Sequence, residues 1–176
     1  MPGYVIHLAT ANEYMRKHKN EIKNKDEFLL GCIEPDFTGK EGKRETHFGE
    51  SSSRVKLREF LKVKDINTDY NKGYFLHLVT DYIFYNKIIS VISKDIYNDY
   101  DILNKYLIEK YNVEIYDNIK NNVFFKEGET KILTKELAEK TINETSDFIL
   151  ENIKQEILSS NYTEKWDYIR DLKRLD

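Results

Sequence analysis

Histidine is scarce in this chain of 176 residues: there are four, and none lies beyond position 77. A site that needs several imidazoles must therefore be built in the first half of the sequence. Cysteine occurs once, as Cys32, so no internal disulfide can form and zinc fingers built from several thiolates are excluded by counting. Cys32 reads instead as a small packing residue. Proline occurs twice and glycine seven times, and no linker rich in either, no internal repeat and no low-complexity segment breaks the chain. No run approaches the roughly 20 apolar residues that span a bilayer. The stretch 4–11 is apolar only in patches, is interrupted by His7, and lacks the basic start and small-residue cleavage site of a secretory signal. These absences predict a soluble protein of the cytoplasm, folded as one domain over 1–176.

What is present suits such a domain. Hydrophobic residues make up 40% and aromatic ones 13% of the chain, enough for a core at a length that buries well over half of the unfolded surface. The 28 basic and 31 acidic residues are interspersed and leave a net charge of -3, which argues against duplex nucleic acid as a partner. Apolar positions recur at three- and four-residue steps from Tyr4 to about Lys23, which predicts an amphipathic helix. A short helix follows over 25–33 and stops ahead of Pro35, because proline disfavours helix in the residue before it. The Gly- and Ser-rich stretch 38–53 reads as a loop. Ser53 is a candidate cap for a helix over 54–63, and Asp65 or Asn67 for a central helix over about 69–93. That central helix is apolar on more than one face, which predicts burial. Further helices are expected over 97–111 and 135–159, with Val123-Phe124-Phe125 as a short extended piece and Trp166 docking the tail. The fold class that results is all-α, a multi-helix bundle.

Candidate chemistry gathers in that first half. His77 and Asp81 sit four residues apart in the run Gly-Tyr-Phe-Leu-His77-Leu-Val-Thr-Asp81, which puts both on one helix face about one turn apart. Imidazole and carboxylate are common ligands of Zn2+, and the same pair also makes a stable buried hydrogen bond without metal. Asp36, just past Pro35, is either a further oxygen ligand or a turn residue. His47 in the loop and His7 on the first helix are nitrogen donors by type, and His7 equally suits a core position. Glu34 either supports such a site or points to solvent. Gly73 clears a helix face for a substrate or for a neighbouring helix, and Tyr70 and Tyr74 fall on a similar face. His18, between Lys17 and Lys19, reads as a solvated surface residue.

Four segments together resemble the zinc-dependent phospholipase C and P1/S1 nuclease superfamily, and within it a small bacterial branch of phospholipase C-like proteins. They are Met1-Pro2 with His7-Leu8, Leu30-Gly-Cys-Ile-Glu-Pro-Asp36, Thr46-His47-Phe48, and Gly73 to Asp81 with its HxxxD spacing. The resemblance implies a helical bundle with a buried central helix that carries HxxxD. In it, the counterparts of Asp36, His47, His77 and Asp81 hold one zinc, and the match to Asp81 bridges to a second metal that also takes the match to His7. A third metal in that family uses two further histidines and a carboxylate downstream, and secreted members add an N-terminal Trp; this chain has neither. The lack of an adjacent His-Asp dipeptide sets the chain apart from the helical HD-type phosphohydrolases. The expected function is a metal-dependent hydrolase, acting on a small-molecule or lipid phosphate ester through a metal-activated water that Asp36 helps to orient. Zinc is the expected ion, one per chain with a second accommodated by His7, although mixed nitrogen and oxygen ligands also suit other divalent transition metals. The alternative is a metal-binding helical protein with reduced catalysis that acts as a binding or regulatory module.

Overall fold

The computed structural model describes residues 3–176; the Met1-Pro2 start that contributes to the resemblance lies outside them. The fold is all-helical. Its helices are α1 (Gly3–Lys17), α2 (Lys25–Ile33), α3 (Lys43–His47), α4 (Leu57–Val63), α5 (Asp69–Ile83), α6 (Asp95–Tyr111), α7 (Lys135–Asp147), α8 (Leu150–Leu158) and α9 (Glu164–Asp167). Among the described residues the one sheet is a pair of two-residue parallel strands, β1 (Val91–Ile92) and β2 (Lys173–Arg174), which ties the C-terminal tail to the segment after α5. Among the described residues no helix is long and apolar enough to cross a membrane.

α5 is buried without interruption from Gly73 to Ile83, as its all-round apolar sequence predicts. Thr68 caps it by accepting the Asn71 N–H, in place of the expected Asp65 or Asn67. α2 is capped in the same manner, with Asn24 accepting from the Glu27 N–H. These two helices cross at backbone contact. A methyl group added at Gly73 would lie 2.0 Å from the Phe28 carbonyl oxygen, and one added at Gly31 would lie 2.1 Å from that of Tyr70. Reciprocal glycines thus let α2 and α5 approach until backbone meets backbone. The space that Gly73 clears is taken by a helix, not by a substrate.

α1 packs against α7, α6 and α2, with Val5, Ile6, His7, Leu8, Ala9 and Ala11 all buried. It ends at Lys17, earlier than the expected Lys23, and Asn20 turns the chain with φ of 75°. Three further expectations give way to tertiary packing. The central helix stops at Ile83, passes through a π-helical turn over Phe84–Ile88 and becomes β1, whose β-branched residues suit a strand. The helix expected over 54–63 begins at Leu57, and Ser53 sits in a 3-10 turn with no capping role. The helix expected over 135–159 breaks at Phe148 and Ile149, both extended: Phe148 turns its ring edge onto buried Trp166, and the next N–H, that of Leu150, donates to the Tyr14 hydroxyl. The piece 123–125 forms no strand.

The glycine contact sets a test of the helix crossing. Alanine at an ordinary helix position is favoured over glycine by about 1 kcal/mol, whereas overpacking against rigid backbone costs about 1–3 kcal/mol or more. Gly73→Ala is therefore expected to lower unfolding stability by at least about 1 kcal/mol in urea denaturation. Gly39→Ala, where an added methyl meets nothing within 4 Å, is expected to stay within about 0.5 kcal/mol of the parent.

Candidate metal centre

Four segments deliver five side chains to one buried point. α1 supplies His7, the 3-10 turn Glu34–Asp36 that continues α2 supplies Asp36, the end of α3 supplies His47, and α5 supplies His77 and Asp81. All five are at most 6% exposed. The stretch around His47, expected as a loop, is helical up to His47, and the chain leaves it through Phe48 in the left-handed region at φ of 57°. The Tyr74 hydroxyl donates to the Thr46 carbonyl at 2.6 Å, and that of Tyr70 to Glu34 Oε1 at 2.8 Å. These tyrosines of α5 thereby hold α3 and the Glu34–Asp36 turn in place, and Glu34 serves that anchoring. His18 stands apart and is half-buried, with Nε2 2.7 Å from the Ser146 carbonyl oxygen, not solvated as its lysine neighbours suggest.

The centre has a definite shape. His47 Nε2 lies 3.3 Å from Asp36 Oδ1 and 3.1 Å from Asp81 Oδ2, His77 Nε2 lies 3.5 Å from each of the same two oxygens, and the two nitrogens are 3.2 Å apart. Ligands about 2.0–2.1 Å from a tetrahedral zinc are separated by about 3.3–3.4 Å, and these five separations lie close to that value; Asp36, His47 and His77 form one compact set of three donors and His7, His77 and Asp81 another. On the other side, His7 Nε2 approaches Asp81 Oδ1 at 3.1 Å and Asp36 Oδ2 at 3.9 Å. Each carboxylate thus turns one oxygen toward the His47 and His77 pair and its other oxygen toward His7. Buried His and Asp groups of this arrangement can hold a metal ion.

Hydrogen bonds aim the rings. His77 Nδ1 is 2.6 Å from the Cys32 carbonyl oxygen, to which it donates, and this leaves Nε2 to face the centre. His47 Nδ1 is 2.8 Å from Thr46 Oγ1, the corresponding arrangement. The inward-facing atoms are not satisfied in the same way. His7 Nε2, Asp36 Oδ2 and both oxygens of Asp81 are buried without a hydrogen-bond partner. Lone pairs that converge on a common point are expected of ligands, whereas a buried salt bridge needs its oxygens hydrogen-bonded to offset desolvation.

Electrostatics reinforce this reading. His7 and His77 stack with ring centroids 3.7 Å apart, so the pair cannot readily carry two protons. Burial, with His77 beside it, lowers the pKa of His7 to about 4. Burial also acts to lower that of His77, but Asp36 and Asp81 together outweigh it and raise the value to about 10. Against the opposing cost of burial, the imidazoles hold the carboxyls of Asp36 and Asp81 well below the usual carboxylate range. The Lys43 ammonium, 13% exposed, also pairs with Asp36 Oδ1. Sequence reasoning missed Lys43, although its place one turn before His47 was a signal.

A pH dependence follows with a fixed sign. Without metal, His77 holds its proton below about pH 10, and a metal can take Nε2 only by displacing it. Zinc affinity is therefore expected to rise about tenfold per pH unit across pH 7–9, with about one proton released from His77 on binding. Calorimetry in two buffers of different ionisation enthalpy measures that release, and His7, already neutral there, adds nothing to it.

Compared with protein-family models, with curated proteins and with solved structures, the chain matches none of them.

Proposed function

We propose that the protein is a zinc-dependent hydrolase of phosphate esters, phospholipase C-like in the arrangement of its centre. The observation that carries the reading is the buried convergence of Asp36, His47, His77 and Asp81, with five donor separations between 3.1 and 3.5 Å. The order in which these donors occur also supports the resemblance to the phospholipase C and P1/S1 nuclease superfamily. Two imidazoles and two carboxylates suit zinc, which when bound would polarise a phosphoryl oxygen and lower the pKa of a coordinated water toward neutrality. His7, with the second oxygens of Asp36 and Asp81, provides donors for a second ion.

The chain's own groups divide the remaining work. Asp36 Oδ2 has no hydrogen bond and lies on the His7 side, while Oδ1 faces His47 and His77, which makes Oδ2 the group to orient the attacking water. Its depressed pKa suits holding and orienting better than storing a proton. The water oxygen attacks phosphorus, the ester P–O bond breaks, and the departing alkoxide takes up the proton that the water gives up. Lys43, beside Asp36, places a positive charge where it offsets the negative charge of the phosphoryl group. A second reading, a metal-binding module with reduced catalysis, is favoured by one observation: no histidine follows His77 to build a further metal site.

Elemental analysis of the purified protein, with assays against a generic phosphodiester and phosphomonoester with and without added Zn2+, separates the readings. Stoichiometric zinc with turnover is expected; zinc without turnover assigns the module, and no bound metal removes both. Asp81→Asn is expected to cut zinc content at least severalfold, since removing a ligand that also serves the His7 side weakens both positions.

A further inference from the structure

Asp36 Oδ1 is claimed from two directions. His47 Nε2 and His77 Nε2 stand 3.3 and 3.5 Å from it, and Asp36 forms with these two residues one of the compact donor sets that can hold a metal ion. The Lys43 ammonium donates a hydrogen bond to the same oxygen. The other three carboxylate oxygens of Asp36 and Asp81 are buried without a hydrogen-bond partner. The ammonium therefore falls on the single oxygen of the four that a hydrogen bond satisfies, and that oxygen is one an ion also needs.

Both cations cannot share Oδ1 at low cost. An ion about 2.0–2.2 Å from it and an ammonium at an ordinary charged hydrogen-bond distance, about 2.8 Å, lie within about 5 Å of each other. At that separation in buried surroundings a divalent ion and an ammonium repel strongly. Charge counting points the same way. Asp36 and Asp81, both held well below the usual carboxylate range, carry two negative charges, which a divalent ion balances by itself and leaves the ammonium in surplus. Lys43 is also built to leave. It is the first residue of α3, and its side chain is 13% exposed where those of Asp36, His47, His77 and Asp81 are 0% exposed. Its flexible four-carbon stem can swing the charge to water without moving the backbone.

We infer that Lys43 is a displaceable counter-ion: its ammonium and the metal compete for Asp36 Oδ1, and the ion that takes this oxygen drives the ammonium out toward solvent. This rests on the metal-centre reading above and adds to it which of the chain's own groups has to move. Released, the ammonium stays tethered beside Asp36 as a positive charge for the phosphoryl group. Zinc titrated calorimetrically into the full chain and into Lys43→Met, which keeps the bulk of the stem without its charge, is expected to bind the variant about ten- to hundredfold more tightly, since the parent has to break a hydrogen bond between charged groups. A second measurement needs no variant: brief acetylation of the parent with an amine-reactive ester, read by peptide mass spectrometry with and without zinc. Lys43 acetylation is expected to rise severalfold on zinc loading, while Lys62, whose side chain is 58% exposed, reacts alike in both states. Zinc affinity in Lys43→Met equal to or weaker than the parent's overturns the inference and makes Lys43 a support of Asp36. So does Lys43 acetylation that zinc leaves unchanged or lowers; in both cases a parent that takes zinc keeps the metal centre and loses only the exchange. Zinc uptake by Lys43→Met but not by the parent supports the competition, whereas uptake by neither fails the metal-centre reading and takes the inference with it.

Discussion

Two ionised carboxylates buried against three imidazoles form the constraint to which the rest of this fold answers. Asp36 and Asp81 are 6% and 0% exposed, and three of their four oxygens lack a hydrogen bond. Charges so placed are tolerable only with positive charge between them, because the desolvation cost of each ion runs to several kcal/mol. A proton on His77, the ammonium of Lys43 and a bound divalent ion are the three cations on offer. Of these, the proton on His77 is the largest cause that lowers the pKa of both acids against the cost of burial, and a divalent ion would also engage the oxygens that no hydrogen bond satisfies.

The backbone is arranged to keep that charge cluster together. Reciprocal glycines bring α2 and α5 into contact, and the same crossing places the Cys32 carbonyl on His77 Nδ1 and carries the Glu34–Asp36 turn over the HxxxD face. Tyr70 and Tyr74 then reach outward from α5 to fasten the turn and the end of α3. The one helix thus supplies two of the candidate donors and the anchors for two more. Such over-determination is what a site on rigid elements needs, since a ligand displaced by even 1 Å spoils the geometry.

Much of this was legible in the sequence, and the misses have physical causes. His77 and Asp81 were readable from their i, i+4 spacing, because a helix maps sequence distance directly onto space. The uninterrupted burial of α5 followed from its apolar residues on every face. Helix ends were read less well: whether the run after Ile83 stays helical depends on the pairing of Val91–Ile92 with Lys173–Arg174, more than 80 positions away. The break at Phe148 and Ile149 depends on Trp166 and Tyr14 in the same way. Gly73 was recognised as clearing space, but what fills that space, the carbonyl of Phe28, belongs to another helix.

The helical class, the buried central helix and the chemical types of the donors follow from the chain alone, because these depend on composition and on contacts within a few turns. That His7, Asp36 and His47 meet the HxxxD pair, and which oxygen of each carboxylate faces which imidazole, comes from tertiary packing alone. Separations of 34 and 74 positions, from His47 and His7 to Asp81, carry no local periodicity. They close only when helices cross, and the crossing is set by packing of the whole core.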